Sequence, residues 1–224
     1  MKLDTERYSL PFFLLWLTAQ TLLDTRVFLL SKSKWRVEFL PDNVAYLFKL
    51  VFLGEGAVGK TSLVGRYVYD SFEGDYLATI GTDIHVKTIE LLAQSEDDED
   101  TLVKLVVWDI AGQDDFAQLR KAYYQNASGA FFVYDCTRPE TLARIDEWID
   151  ALFGVTGRIP LVMIENKVDL DCQMAKGQAE EIAKKHDVVL IRTSAKDDTN
   201  VEEAFYQMTR EILRKSRTKG FNSE

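Results

Sequence analysis

Apolar and polar positions along the chain switch between two periods, one suited to buried strands and one to amphipathic helices. Tyr46–Leu53 is a short apolar run, rich in aromatic residues, that reads as a buried strand. A glycine-rich loop and a helix from about Lys60 to Tyr69 are expected after it. His85–Leu92 and Leu102–Trp108 read as the arms of a hairpin, with the acidic stretch Ser95–Asp100 as its solvated tip, because like charges repel and stay exposed. Gly129–Tyr134 and Pro160–Ile164 are further runs of strand length. Between them Leu142, Ile145, Trp148, Ile149 and Leu152 recur at helical spacing, which predicts one helix over Thr141–Phe153. Val188–Ile191 reads as a last strand and Asn200–Leu213 as a closing helix. Such alternation predicts an α/β fold: an open, mainly parallel sheet with helices on both faces.

The two ends differ from this middle, so three parts are expected: residues 1–43, 44–214 and 215–224. In the first, Leu10–Leu30 is apolar but interrupted by Gln20, Asp24 and Arg26. A charged residue at the centre of a bilayer costs roughly 2.5–3.5 kcal/mol, so a membrane span is disfavoured. Met1–Ser9 has balanced charge and lacks the basic lead of a signal peptide. Three readings stay open: an interfacial membrane helix with the basic cluster Lys32, Lys34 and Arg36 beside it, a segment packed on the domain or a partner, or sequence upstream of a start near Val44. Arg214–Glu224 is polar, contains Gly220 and has no apolar period, which reads as a disordered basic tail.

Composition narrows the class. The 224 residues are 46% apolar and 28% charged, enough for a sizeable core without a disulfide or metal staple. Of the net charge of −9, residues 1–43 carry +1 and residues 210–224 carry +3, leaving −13 on the body between them. An acidic body argues against nucleic-acid binding, which needs clustered Lys and Arg. Cys136 and Cys172 have no metal-ligand spacing and are expected to be free thiols in a reducing, cytoplasmic compartment.

Four motifs carry chemistry. Gly54-Glu55-Gly56-Ala57-Val58-Gly59-Lys60-Thr61 fits the phosphate-loop pattern and lies between a strand and a helix. Backbone N–H groups of Gly54, Gly56, Ala57, Val58 and Gly59 can wrap phosphates, Lys60 can reach them, and the Thr61 hydroxyl can ligate magnesium; Ser62 joins the set as the next helical residue. Asp109-Ile110-Ala111-Gly112-Gln113 follows the second hairpin arm. There Asp109 can hold magnesium, Gly112 can offer an N–H to a terminal phosphate and Gln113 can orient a water. Asn166-Lys167-Val168-Asp169 suits guanine, whose N1–H and 2-amino group are adjacent donors that the Asp169 carboxylate can accept together. Adenine would leave that carboxylate unsatisfied, and such sites reject the wrong ligand strongly. Asn166 would tie this loop to the phosphate loop, and the Lys167 stem would cover the base. In Thr193-Ser194-Ala195-Lys196, residues Ser194, Ala195 and Lys196 can present a backbone N–H to the guanine carbonyl.

In this order the motifs resemble the small GTPases of the Ras superfamily over residues 46–214, the Rab branch most. The resemblance implies a P-loop GTPase (G domain) fold with six strands, GTP/GDP and Mg2+ as ligands, and slow hydrolysis with Gln113 and Lys60 as catalytic residues. It adds Thr79 to Thr61 and Asp109 as a magnesium ligand, Phe72 as the aromatic capping the base and Tyr76 as the one covering the phosphates. It also implies that segments 72–83 and 112–123 order around the γ-phosphate and are read by effectors, an exchange factor and a GTPase-activating protein in signalling or trafficking. Departures are visible. No cysteine follows Cys172, so no C-terminal prenylation site is expected. Glu165 precedes the guanine motif where relatives have a small residue; it reads as an exposed side chain, with an extra carboxylate near the base as the alternative. Arg192 stands where an acidic residue is common.

Overall fold

The structure, a computed structural model, describes residues 27–30, 36–39, 45–72, 79, 81–92, 100–112 and 117–220. The chain falls into two units, Met1–Val44 and Ala45–Glu224. In the first, β1 (Val27–Leu30) pairs antiparallel with β2 (Arg36–Phe39), Val27 opposite Phe39 and Leu30 opposite Arg36. The interfacial-helix reading is thereby corrected for Val27–Leu30, where a strand partner a few residues on satisfies the backbone. The rest of Leu10–Leu30 lies outside the described residues.

The second unit is built on a six-stranded sheet in the order β4-β5-β3-β6-β7-β8. Its strands are β3 (Tyr46–Leu53), β4 (Thr82–Leu91), β5 (Thr101–Ile110), β6 (Gly129–Asp135), β7 (Leu161–Asn166) and β8 (Val189–Thr193). Only the edge pair β4–β5 is antiparallel; β3 pairs parallel with β5 and β6, and β6–β7 and β7–β8 continue the parallel set. All seven residues of β6 and all six of β7 are buried, as expected of central strands covered on both faces.

Helices cover each face. α1 (Lys60–Tyr69) and α6 (Val201–Gly220) cover one, where Leu63, Tyr67, Phe205 and Met208 pack on Phe52, Leu105 and Phe131. α2 (Ala117–Tyr124), α4 (Ile145–Thr156) and α5 (Gln178–His186) cover the other, where Tyr124, Trp148, Leu152 and Ala183 pack on Val51, Phe132 and Met163. The predicted faces of the sheet are thus both occupied.

The differences from the sequence reading are local. The hairpin arms extend past the expected bounds to Thr82 and Ile110, and Ser95–Glu99 of the acidic tip lie outside the described residues. The single helix expected over Thr141–Phe153 is two, α3 (Glu140–Ala143) and α4, parted at Arg144 (φ −92°, ψ 13°). The Arg144 guanidinium reaches Glu55 of the phosphate loop at 3.0 Å, a tertiary tie no local period displays. α2 and α5 were not anticipated. The closing helix runs to Gly220, so disorder is corrected for Lys215–Gly220: Arg214 pairs with Glu211 one turn back, and Lys215 donates to the Arg158 carbonyl.

The expectation of free thiols is also corrected, for Cys136 and Cys172 form a disulfide. Parallel pairing sets the ends of β6 and β7 side by side, where the Cys136 N–H donates to the Asn166 carbonyl and the Gln173 N–H to the Cys136 carbonyl. Cys172 follows the guanine motif, so proximity comes from the sheet and not from sequence spacing.

Candidate functional site

The C-terminal ends of the parallel strands converge on a cleft of about 450 Å³. Its lining includes Gly56, Ala57, Gly59, Lys60, Thr61 and Ser62 from the phosphate loop and α1. Phe72, Thr79, Gly112, Asn166, Lys167, Asp169, Ala195 and Lys196 also line it, whereas Gly54, Val58, Asp109 and Ser194 of the expected set do not. Four separate motifs, spread over more than half of the chain, therefore meet at one place.

The phosphate loop closes on itself and on its neighbours. Lys60, 6% exposed, donates to the Gly54 and Glu55 carbonyls at 2.8 and 2.7 Å. Asn166 Nδ2 donates to the Val58 carbonyl at 2.9 Å, the tie expected between guanine motif and phosphate loop. Two glycines are required by contact: a Cβ on Gly59 would lie 2.3 Å from Asn166 Nδ2, and one on Gly112 would lie 2.5 Å from the Glu55 carbonyl. Gly112, just after β5, thus packs closely on the backbone of the phosphate loop.

Three oxygens gather where magnesium is expected. Thr61 Oγ1 donates to Asp109 Oδ2 at 2.6 Å and shares a hydrogen bond with Thr79 Oγ1 at 2.8 Å. Asp109 is fully buried, and burial pushes its carboxyl up to about 6 against the opposing pull of Thr61 and Lys60. Its second oxygen has no hydrogen-bond partner among the described residues. A hard oxygen donor set with an unsatisfied buried carboxylate oxygen fits a divalent cation such as Mg2+.

On the base side, Ser194 Oγ donates to Asp169 Oδ1 at 2.6 Å, and the Asp197 N–H donates to Ser194 Oγ at 3.0 Å. Ser194 therefore orients the Asp169 carboxylate from a separate loop. Phe72 is half-exposed at the cleft edge. Gln113 and Tyr76 lie outside the described residues.

Further contacts at the site join residues of different elements. Arg66 on α1 donates to the Ala195 and Lys196 carbonyls at 3.0 and 3.1 Å, bracing the loop after β8. Thr193 Oγ1 donates to Asn166 Oδ1 at 3.1 Å. Tyr69, Leu170 and His85 also line the cleft. Both readings of Glu165 are corrected: it is 4% exposed and ion-paired to Arg192, neither an exposed side chain nor a carboxylate lining the cleft. Position-by-position reading finds motif members, whereas these residues act through contacts between distant loops.

Residues 49–214 match the family model of the Ras family. The chain belongs to the Ras family. It is 37% identical over 174 residues to Ras-related protein Rab-13 of Canis lupus familiaris, an overlap covering 76% of this chain and 82% of the relative. It is 36% identical over 173 residues to Ras-related protein Rab-8B of Pongo abelii, covering 76% and 80%. The protein is a Rab-like small GTPase, a nucleotide-dependent switch that binds GTP and GDP with Mg2+ and hydrolyses GTP. Nucleotide and regulatory or effector proteins are its partners. No helix among its described residues is long and apolar enough to cross a membrane.

Proposed function

We propose that this GTPase is a slow switch of signalling or vesicle trafficking whose chemistry is carried by the cleft at the strand ends. Water attacks the γ-phosphate in line, oriented by Gln113, while Lys60 and the loop N–H groups of Gly54, Gly56, Ala57, Val58 and Gly59 stabilise the developing charge. Thr61, Thr79 and Asp109 would hold Mg2+, which when bound neutralises charge on the β- and γ-phosphates. Asp169 selects guanine, held by Ser194, while Phe72 and the Lys167 stem cover the base and the Ala195–Lys196 backbone meets its carbonyl. Ser62, Tyr76 and Gly112 complete the phosphate shell, and segments 72–83 and 112–123 present the γ-phosphate state to effectors.

The convergence of Thr61, Thr79 and Asp109 within 2.8 Å contacts is the observation that carries this reading. Single-turnover phosphate release from loaded protein tests it. Without a partner the rate is expected on the order of 10⁻⁴–10⁻² s⁻¹. Gln113→Leu is expected to slow it further and leave GDP affinity nearly unchanged; turnover at several per second without a partner refutes the reading.

Residues 1–43 belong to the same proposal as a peripheral membrane contact outside a nucleotide domain spanning residues 44–214. Their apolar run and the cluster Lys32, Lys34 and Arg36 support it. The full chain, but not a chain starting at Val44, is expected to float with anionic liposomes and to lose them in salt. Equal flotation of both overturns the assignment.

A further inference from the structure

Asp135 ends β6 and is 1% exposed, yet no nucleotide motif includes it. Its Oδ2 pairs with two cations, Lys167 Nζ at 2.7 Å and Arg138 Nε at 3.1 Å. Its Oδ1 accepts from the Thr137 N–H and hydroxyl at 3.0 and 2.7 Å. Both cations reach on to the phosphate loop. Lys167 donates to the Ala57 carbonyl at 2.8 Å, and Arg138 Nη2 donates to the Gly56 carbonyl at 3.1 Å. With Asn166 on Val58, three successive loop carbonyls are each held by a side chain from beyond β6.

Backbone conformation adds a second observation. Ala57 and Lys167, the two ends of one of these contacts, both sit in the left-handed region, at φ 61° and 66°. Non-glycine residues in that region are strained and persist where their surroundings over-determine them. A buried carboxylate that anchors both cations supplies that determination. A chain of charge-assisted hydrogen bonds also has directional strength that neutral contacts lack.

We propose that Asp135 is a positioning residue of the nucleotide site, which through Arg138 and Lys167 fixes the Gly56 and Ala57 carbonyls and so sets the phosphate loop against bound nucleotide. The inference rests on the cleft being the nucleotide site. Arg138 serves as a fork, with Nε on the carboxylate and Nη2 on the loop, a geometry that a lysine head cannot reproduce.

The test is release of N-methylanthraniloyl-GDP from the purified full chain, chased with excess GDP. Asp135→Asn keeps the shape and removes the charge; release is expected to rise about tenfold, the effect of one charge-assisted hydrogen bond. Arg138→Gln is expected to raise it about fivefold, and Arg138→Lys as much as Arg138→Gln. The double variant Asp135→Asn/Arg138→Gln is expected to release no faster than Asp135→Asn, because both changes cut the same path. A merely structural carboxylate lowers the melting temperature and leaves release within about twofold of wild type, which overturns the proposal. Multiplicative effects in the double variant, or full rescue by Arg138→Lys, overturn it as well. If Asp135→Asn does not fold, the two Arg138 variants carry the test, since that side chain is 38% exposed. Failure of the wild-type chain to retain the labelled GDP overturns the site assignment itself and is distinguishable from all of these.

Discussion

Arg192 Nε donates to Glu165 Oε2 at 2.7 Å, and the two residues are register partners on β8 and β7. Each departs from what the resemblance to Rab proteins leads one to expect, and each accounts for the other. Glu165 is buried on β7, so an acidic residue at 192 would set two carboxylates side by side; the arginine supplies the counter-charge and also reaches Glu180.

Removing Arg192 should therefore expose the cost of Glu165. Arg192→Met is expected to destabilise the protein by roughly 1–3 kcal/mol, less than for a fully buried pair because the Arg192 side chain is half in water. The double variant Arg192→Met/Glu165→Gln should regain most of that loss. Urea unfolding of the GDP-loaded protein measures both; a single variant within about 0.5 kcal/mol of wild type rejects the pairing argument.

Guanine selectivity should follow Asp169 and its partner Ser194. Asp169→Asn is expected to weaken GDP at least about 100-fold and to favour the xanthine nucleotide, whose 2-oxo group accepts where guanine donates. Ser194→Ala leaves the carboxylate in place but unoriented, and should weaken GDP by about tenfold. Competition against labelled GDP reads both effects; ATP competing as well as GDP would contradict the assignment of the base side.

The Cys136–Cys172 disulfide spans 36 positions in sequence and closes a loop that contains β7's guanine motif. On the chain-entropy account such a loop is worth roughly 4 kcal/mol, and measured values often fall below it. Reduction, or Cys172→Ser, should lower the melting temperature by several degrees. Alkylation of the unreduced, unfolded protein should leave both cysteines unmodified in the mass spectrum. Two adducts there would show free thiols.

Acid should loosen the Asp135 anchor. Burial pushes its carboxyl up, but hydrogen bonds from Lys167 and Thr137 outweigh burial and hold it below the usual carboxylate range. The folded pKa thus lies under the unfolded one, near 3.9. Its contribution to stability is present above about pH 4 and is lost as pH falls through the folded value. Between pH 5 and 3 the unfolding midpoint of Asp135→Asn should decline less steeply than that of wild type. Parallel declines would remove Asp135 from the acid response.

Sequence alone determined the α/β alternation, the central strand Tyr46–Leu53, the helix Lys60–Tyr69 and the motifs around Lys60, Asp109, Asp169 and Ser194. These are legible because each is a local pattern: an apolar period, or residue types at fixed short spacing that a phosphate or a guanine edge demands. Tertiary structure alone decided what lies between them. The Arg66 brace on Ala195 and Lys196, the Asp135 anchor with its reach to Gly56 and Ala57, the Glu165–Arg192 pair and the Cys136–Cys172 bond all join residues of different elements, far apart in the chain. Their partners meet because parallel strands bring distant loops to one edge of the sheet, and a contact made across 36 or 129 positions leaves no period in the chain to read.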